Sequence, residues 1–452
     1  MKKILSLAAC SAMVLGFAAT ASAIHMEAPA DTSPVIAKGG LLHIDGAIRM
    51  RGATETRGTT DATDNSKSDY DGRIRLGVHA QTSDAISGYM LLSSGSDHDD
   101  TYTWGEDAGL LGSLNNGGNM HSPNADGGLS ILEAWINYMP SNWGVKVGHM
   151  PLSLGTKMFF DHTQYGDDAI VAYMNPNDSL HLGALTIKVA ELGAISSDDV
   201  DAYVAFAVNK FSDALTLGAN YTMIHAGSWA EQNALSGIDD SANFSNLGIT
   251  ADGKIGAISY GLDGEFQFGD SLTDATAGSI DSAKGMAFKG TADMDLGAMS
   301  VGALVSWASG DDDATDGDAK QFVDILSDVN YETLIVGYRH AVPGNADNDY
   351  GNLLTVQLNG SMATTCPLTG KDLNLKAAVS YMKLNETVGN ADDNVGTEAD
   401  LFATWTVGNG LEYKVEAGYL WSGDAYATNM NANNANDAAD AYFLRHRLEL
   451  RF

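Results

Sequence analysis

Cysteine, basic residues and long apolar runs are all scarce in this chain, and each shortage excludes something. Only two cysteines occur, at positions 10 and 366. One of them lies in an N-terminal leader, so the mature chain can form no intramolecular disulfide, no Cys-based zinc site and no C-x-x-C-H haem attachment. Lys and Arg together number 25 against 58 Asp and Glu, a formal net charge of −33. Nucleic acid is a poor partner for such a surface, because phosphate binding needs a Lys/Arg face. Mean hydropathy is −0.11. Beyond residue 23 no apolar run approaches the roughly 18 residues of a membrane-spanning helix, so a helical membrane protein is excluded.

What is present begins with a leader. Lys2 and Lys3 form a charged head, residues 4–20 an apolar stretch, and Ala21-Ser22-Ala23 an A-x-A cleavage site. Cleavage after Ala23 leaves 429 of the 452 residues and removes two lysines, taking the net charge from −33 to −35. Leu7-Ala8-Ala9-Cys10 also has the form of a lipoprotein box. That reading would leave an apolar stretch of about four residues, short of the usual 7–15.

From Leu42 to Phe452 the dominant pattern is period-2 alternation, in segments of about ten residues. Ile258, Tyr260, Leu262, Gly264, Phe266 and Phe268 alternate with Ser259, Gly261, Asp263, Glu265 and Gln267. Leu411, Tyr413, Val415, Ala417, Tyr419 and Trp421 alternate with a more polar set. Successive strand residues face opposite sides, so each segment carries one apolar and one polar face. A soluble sandwich would alternate similarly. The polar face here carries many charges and little that could fill a second core, and segment ends carry Tyr138, Trp143, Tyr221, Phe268, Trp307, Tyr381, Trp421 and Tyr442. Aromatic girdles around a polar interior are the pattern of a transmembrane barrel.

The expected fold is therefore all-β: a single transmembrane antiparallel β-barrel over residues 42–452, after a signal peptide (1–23) and a polar lead-in (24–41). Connectors alternate between short turns, expected to be periplasmic, and long polar loops, expected to be extracellular. Nineteen segments read as strands, among them 167–174 and 330–340. Bacterial single-chain barrels have an even number. Segment 167–174 is the weakest, and discarding it leaves 18 strands, with 16 as the fallback.

The last strand is the most specific motif. Tyr442, Leu444, His446, Leu448, Leu450 and the terminal Phe452 share one face. An apolar alternating final strand ending in Phe resembles the signal read by the outer-membrane barrel assembly machinery. With the leader and the strand count, the chain resembles the Gram-negative outer-membrane porins in architecture along its whole mature length. The resemblance implies outer-membrane location, contact with lipid and lipopolysaccharide, a homotrimer, and a water-filled channel for passive diffusion of ions and small hydrophilic solutes. It implies no cofactor.

The nine arginines sharpen this expectation. Seven lie in the first, second and last strands, which closure makes neighbours. Apolar partners such as Ile44, Ile74 and Leu448 face lipid, leaving Arg49, Arg51, Arg73, Arg75, Arg445, Arg447 and Arg451 inward. This resembles the basic ladder of general diffusion porins, where an inward loop sets carboxylates opposite the arginines. Loop 151–168 would supply Asp161, Asp167 and Asp168, or loop 93–128 would supply Asp97, Asp99, Asp100, Glu106 and Asp107. The same arginines could instead pair with Asp45, Asp71 and Glu449 merely to lock the seam. An arginine wall favours anions at a constriction, while acidic loops draw cations to the mouth.

Other features carry less. The acidic stretch 311–318 does not fit the D-x-[DN]-x-[DN]-G spacing and reads as a solvated loop rather than a Ca²⁺ site. His79 sits beside Arg75 as a pore-wall polar group. Cys366, before Pro367 in a short turn, reads as an inert surface thiol. No metal site is expected, and G-x-S-x-G and H-E-x-x-H are absent, so no enzyme is expected. Two other functions compete: a barrel sheath enclosing partner cytochromes, which would need a wide, unobstructed lumen, and a solute-specific uptake channel. The polar-face aromatics Tyr203, Trp135 and Phe402 trace no continuous track for the latter.

Overall fold

In the computed structural model the described residues are 35–37, 40–56, 66–94, 102–103, 129–191, 199–227, 241–276, 279–313, 315–326, 333–343, 350–387, 392–427 and 438–452. The leader and the acids of loop 93–128 (Asp97, Asp99, Asp100, Glu106, Asp107) lie outside them. The alternating segments form β1 (Gly40–Thr56), β2 (Ser66–Ser83), β3 (Ile86–Ser94), β4 (Leu129–Tyr138), β5 (Trp143–Met150) and β6 (Asp167–Met174). They continue with β7 (Leu180–Ala190), β8 (Val200–Ser212), β9 (Leu215–Ala226), β10 (Ala242–Ile255), β11 (Ile258–Thr276) and β12 (Met286–Asp295). The last six are β13 (Met299–Ala308), β14 (Leu353–Thr365), β15 (Asp372–Leu384), β16 (Asn394–Gly408), β17 (Leu411–Ser422) and β18 (Ala441–Arg451). Each pairs antiparallel with the next, and β18 pairs with β1 from Ala47↔Arg451 to Glu55↔Phe443, which closes an 18-strand barrel.

The pleat separates two environments. Ile44, Ile136, Ile170, Leu262, Leu358, Leu401 and Leu448 are exposed on the outside, while the alternate positions are covered. Such a continuous apolar exterior is stable only against lipid. Closure also means that neither β1 nor β18 is left as an edge strand. Short turns such as 84–85, 213–214, 256–257 and 409–410 join the strands at one end, and longer connections join them at the other.

Two expectations about the strands need correction. Segment 167–174, the one discarded in the count, is the barrel strand β6. Segment 330–340 is the one that does not belong: its described part, 333–340, forms a tight fold inside the barrel. Leu334, Ile335 and Val336 are buried consecutively there, whereas a wall strand buries every second residue. The lead-in also differs from a plain tail, because Val35–Ala37 pairs back on Gly40–Leu42.

Three stretches leave the long-loop end and enter the lumen. Residues 151–166 lie against the inner wall of β6–β10, where Val171, Ile187, Val204 and Ile224 make that wall apolar. Residues 315–326 pack beside them: Phe322 is fully buried, and Ile325–Leu326 pairs parallel with Phe160–Asp161. Residues 333–343 occupy the opposite half with a separate cluster around Leu353, Met382, Leu420 and Phe443.

Candidate functional site: the lumen wall

The seam strands β1, β2 and β18 bring their arginines together because a period-2 strand keeps one face inward and closure supplies the register. Arg49 lies opposite Arg73 and Glu449, and Arg51 opposite Asp71 and Arg447. Arg75 and Arg451 flank Ala47. Arg49, Arg51, Arg73, Arg75 and Arg445 are each under a tenth exposed, Arg447 is half-buried, and Arg451 is exposed at the short-turn end.

Carboxylates interleave with them. Arg51 Nε is 2.5 Å from Asp71 Oδ2 and Arg49 Nη2 is 3.9 Å from Asp71 Oδ1. Glu449 lies 3.5 Å from Arg447 and 3.1 Å from Arg451. On β17, Glu416 receives Arg445 at 2.5 Å and Lys414 at 2.7 Å. Arg75 Nε donates to Ser93 Oγ at 3.2 Å. Guanidinium forks suit such a wall, since they stay charged and present fixed donors.

An eighth guanidinium joins from a place the strand pattern could not show. Arg339 sits in the inward segment 333–343, 3.1 Å from Glu55 and stacked 4.7 Å over the Phe443 ring. Its neighbour Tyr338 accepts a hydrogen bond from Arg445 Nη1 at 3.0 Å. Three backbone N–H groups hold this segment: those of Leu334, Ile335 and Val336 donate to the Glu398 carboxylate of β16 at 2.8, 2.7 and 3.0 Å.

The loop acids behave differently from one another. Asp161 is fully buried within segment 151–166; Lys157 binds it at 3.0 Å and Thr163 donates to it twice. That arrangement fastens the segment to itself. Asp167 points inward and meets His162 Nδ1 at 2.7 Å. Asp168 is on the outer face, in line with Ile170 and Met174, its side chain 75% exposed beside His149. It cannot line the lumen, because alternation sends neighbours on one strand to opposite faces.

Lumen carboxylates missed in the sequence are Asp263 and Glu265 on β11 and Glu398 and Asp400 on β16, each buried and each an i,i+2 pair. Two acids at that spacing on a polar strand face were the signal that could have found them. Thr156, from the inward segment, donates to Asp263 Oδ2 through its N–H at 2.8 Å and its hydroxyl at 2.7 Å.

A ring track is also present. His43, His79, Tyr89 and Trp135 are successive cross-strand neighbours on β1–β4. Their ring centroids are 6.2, 6.4 and 5.8 Å apart, and Lys146 Nζ sits 3.7 Å over Trp135. Register was needed to see it, because the four residues are spread over 93 positions of chain. Tyr203 does not contribute, being on the outer face at 45% exposure.

The remaining motifs are structural. In the acidic stretch 311–318, Lys320 reaches Asp312 at 2.5 Å and Asp316 at 2.8 Å, and its ammonium holds both carboxyls below their ordinary range. The lysine thus takes the place a cation would need. Cys366 is buried in the turn between β14 and β15, not exposed as the sequence suggested; hydrogen bonds from Thr369 and Trp405 bring its thiol down to about 7. On the outer face of β18, Tyr442, Leu448, Leu450 and Phe452 are exposed side by side, and Phe452 exchanges two backbone hydrogen bonds with Gly46.

No family model matches the chain, and no curated protein matches it. Solved structures do. OpdO of Pseudomonas aeruginosa aligns over 91% of this chain and 97% of its own, with a TM-score of 0.55 and 14% identity. OccK11 (OpdR) of the same organism aligns over 91% and 96%, with a TM-score of 0.54 and 12% identity. OpdK of that organism, in a structure with vanillate, aligns over 90% and 98%, with a TM-score of 0.55 and 11% identity. Likeness at such identities speaks to architecture. This chain has the closed 18-strand fold of the Gram-negative outer-membrane porins.

Proposed function

We propose that the chain is an outer-membrane channel for passive diffusion of ions and small hydrophilic solutes, and that its arginine wall favours anions. The observation behind this reading is the seam: eight guanidiniums with Lys67 and Lys414 gather there against seven carboxylates, Asp45, Glu55, Asp69, Asp71, Glu412, Glu416 and Glu449. A wall with surplus positive charge lowers the barrier for anions where the lumen is narrowed by inward segments. The acids set against that wall are Asp263 and Glu265 rather than Asp161 and Asp168. Export through the leader, insertion by the barrel assembly machinery reading the Tyr442–Phe452 strand, contact with lipopolysaccharide and assembly as a homotrimer complete the proposal. A cytochrome sheath fits poorly, because three inward segments occupy the space a partner would need.

Single-channel recording in a planar bilayer under a KCl gradient tests this. Conductance steps in threes and a reversal potential of the sign set by anion passage are expected. The triple substitution Arg49→Ala/Arg73→Ala/Arg445→Ala should move the reversal potential toward cations. Unchanged selectivity and conductance would remove the role of the wall, and a folded barrel without conductance would remove the channel.

The ring track favours a second, narrower reading, a solute-specific channel for anions that carry a ring. Flat side chains in a row stack on planar solutes, and OpdK has been captured with vanillate. Concentration-dependent block of chloride current by vanillate, weakened in Trp135→Ala, supports it; absence of block leaves the general channel.

A further inference from the structure

Between the inner wall of β7–β9 and the inward segments lies an apolar cavity of about 190 Å³. Ile187, Val204 and Ile224 form its wall side, each under a twentieth exposed, and Phe160 and Ile325 cover it from the lumen side. His162 closes one end: its ring stacks on Phe160 at 4.6 Å, and its Nδ1 is already engaged by Asp167 at 2.7 Å. Val189 stands half-exposed at the rim, at the long-loop end of β7. A smaller cavity of about 50 Å³ adjoins it, sharing Phe160, Ile187 and Val204.

Thr222 of β9 is the exception in the lining of the larger cavity. It is 2% exposed, and its Oγ1 has no hydrogen-bond partner among the described residues. Its cross-strand neighbours explain the isolation. Val204 offers no polar side chain, and the Asn246 amide is turned to Glu265 Oε2 at 2.7 Å. A buried hydroxyl without a partner is costly, and valine would fill the same shape without that cost. Water is a poor remedy, because an ordered water needs two to four polar contacts and an aliphatic lining supplies few. An apolar cavity of roughly 150 Å³ stays dry and takes up benzene. The larger space, at about 190 Å³, therefore holds one ring with a small substituent, and the adjoining one, at about 50 Å³, does not.

We propose that this cavity binds a neutral solute with one six-membered ring and one hydroxyl, a simple phenol, its ring against Ile187, Val204 and Ile224 and its hydroxyl on Thr222 Oγ1. Neutrality follows from the lining. A buried charge needs a partner, and the one ionisable side chain among the described lining residues, His162, is spent on Asp167. The site is separate from the ring row of β1–β4, which lies beside Lys146, and it does not depend on conduction. Phe160 and His162 belong to segment 151–166, so an occupant would tie that segment to the wall.

The test is calorimetric titration of phenol, with toluene beside it, into the full chain folded in detergent, against a detergent blank. One saturable phenol per chain is expected. Thr222→Val keeps the shape of the cavity and removes the hydroxyl. It should weaken phenol about tenfold, as loss of one hydrogen bond does, and leave toluene unchanged. Ala202→Leu, at a buried position of the lining, fills the space and should abolish both. Trp135→Ala, in the ring row, should change neither. Phenol should also slow amide exchange in 151–166 and leave 333–343 unchanged. Absence of saturable phenol binding in the unmodified protein overturns the proposal, and so does equal phenol affinity in Thr222→Val. Loss of binding in Trp135→Ala overturns it as well, moving the ring to β1–β4. Should Ala202→Leu fail to fold, the Thr222→Val comparison decides alone.

Discussion

Two inward segments, 151–166 and 333–343, reach the lumen from the same end of the barrel and are held there by different physics. The first is held mainly by packing. Met158 and Phe159 are fully buried, Phe159 stacks on Phe244 at 6.1 Å, and the wall behind is apolar. The second has an apolar patch too, but its backbone hangs from one carboxylate, and its tip is held by Arg445 on Tyr338 and by its own Arg339 on Glu55. Packing tolerates small displacement and resists changes of volume. A carboxylate that accepts three N–H groups is unforgiving of its own loss, since every donor is then stranded. One segment should therefore fail gradually and the other abruptly.

The largest effect expected from breaking this contrast is in Phe159→Ala, which should cost about 3–5 kcal/mol of packing. Amide exchange should rise across 151–166 and stay low in 333–343, as read by mass spectrometry. Equal loosening of both segments would mean that they form one unit. Glu398→Leu should cost about 3 kcal/mol, at about 1 kcal/mol or more for each stranded N–H. Here exchange should rise in 333–343 alone, together with single-channel conductance.

Acid should sharpen the same distinction. Burial, reinforced by the charge of Arg339, holds the His340 pKa below its ordinary 6.5. The folded state thus binds this proton more weakly than the unfolded chain does. His340 consequently contributes full stability above pH 6.5, and that contribution is lost as pH falls from 6.5 through the lower folded value. Exchange in 333–343 should quicken on acidification, and His340→Gln should flatten the dependence. The smallest effect is expected from Arg339→Ala, about 1 kcal/mol for a half-buried ion pair with ring stacking, visible as a modest loss of protection at 338–340 only.

The contrast also explains what the sequence could and could not reveal. Strand alternation is local, so residues 258–268 and 411–421 announce their two faces without any knowledge of their partners. Segment 333–336 misled because a short apolar stretch reads alike whether it is wall or filling. Segment 167–174 looked weak because Asp168 and Ala172 dilute its outward stripe. The eighth guanidinium and the ring row depend on which residues meet across strands and loops, and no period along the chain encodes that. The acid pairs were visible as spacing, but only the inward segments give them something to hold.

One feature of the seam bears on how the molecule is made. Gly46 and Phe452 exchange N–H···O bonds in both directions, and the Phe452 ring lies so close to Gly46 that a Cβ there would be 2.5 Å from it. The first and last strands of the barrel, more than 400 residues apart in sequence, are thereby joined, a contact of very high sequence separation and correspondingly slow to form. The closing pair lies among the three strands that carry the guanidiniums. Substituting those arginines alters the final joint of the barrel along with its lining, so the yield of closed barrel has to be counted before any current is compared.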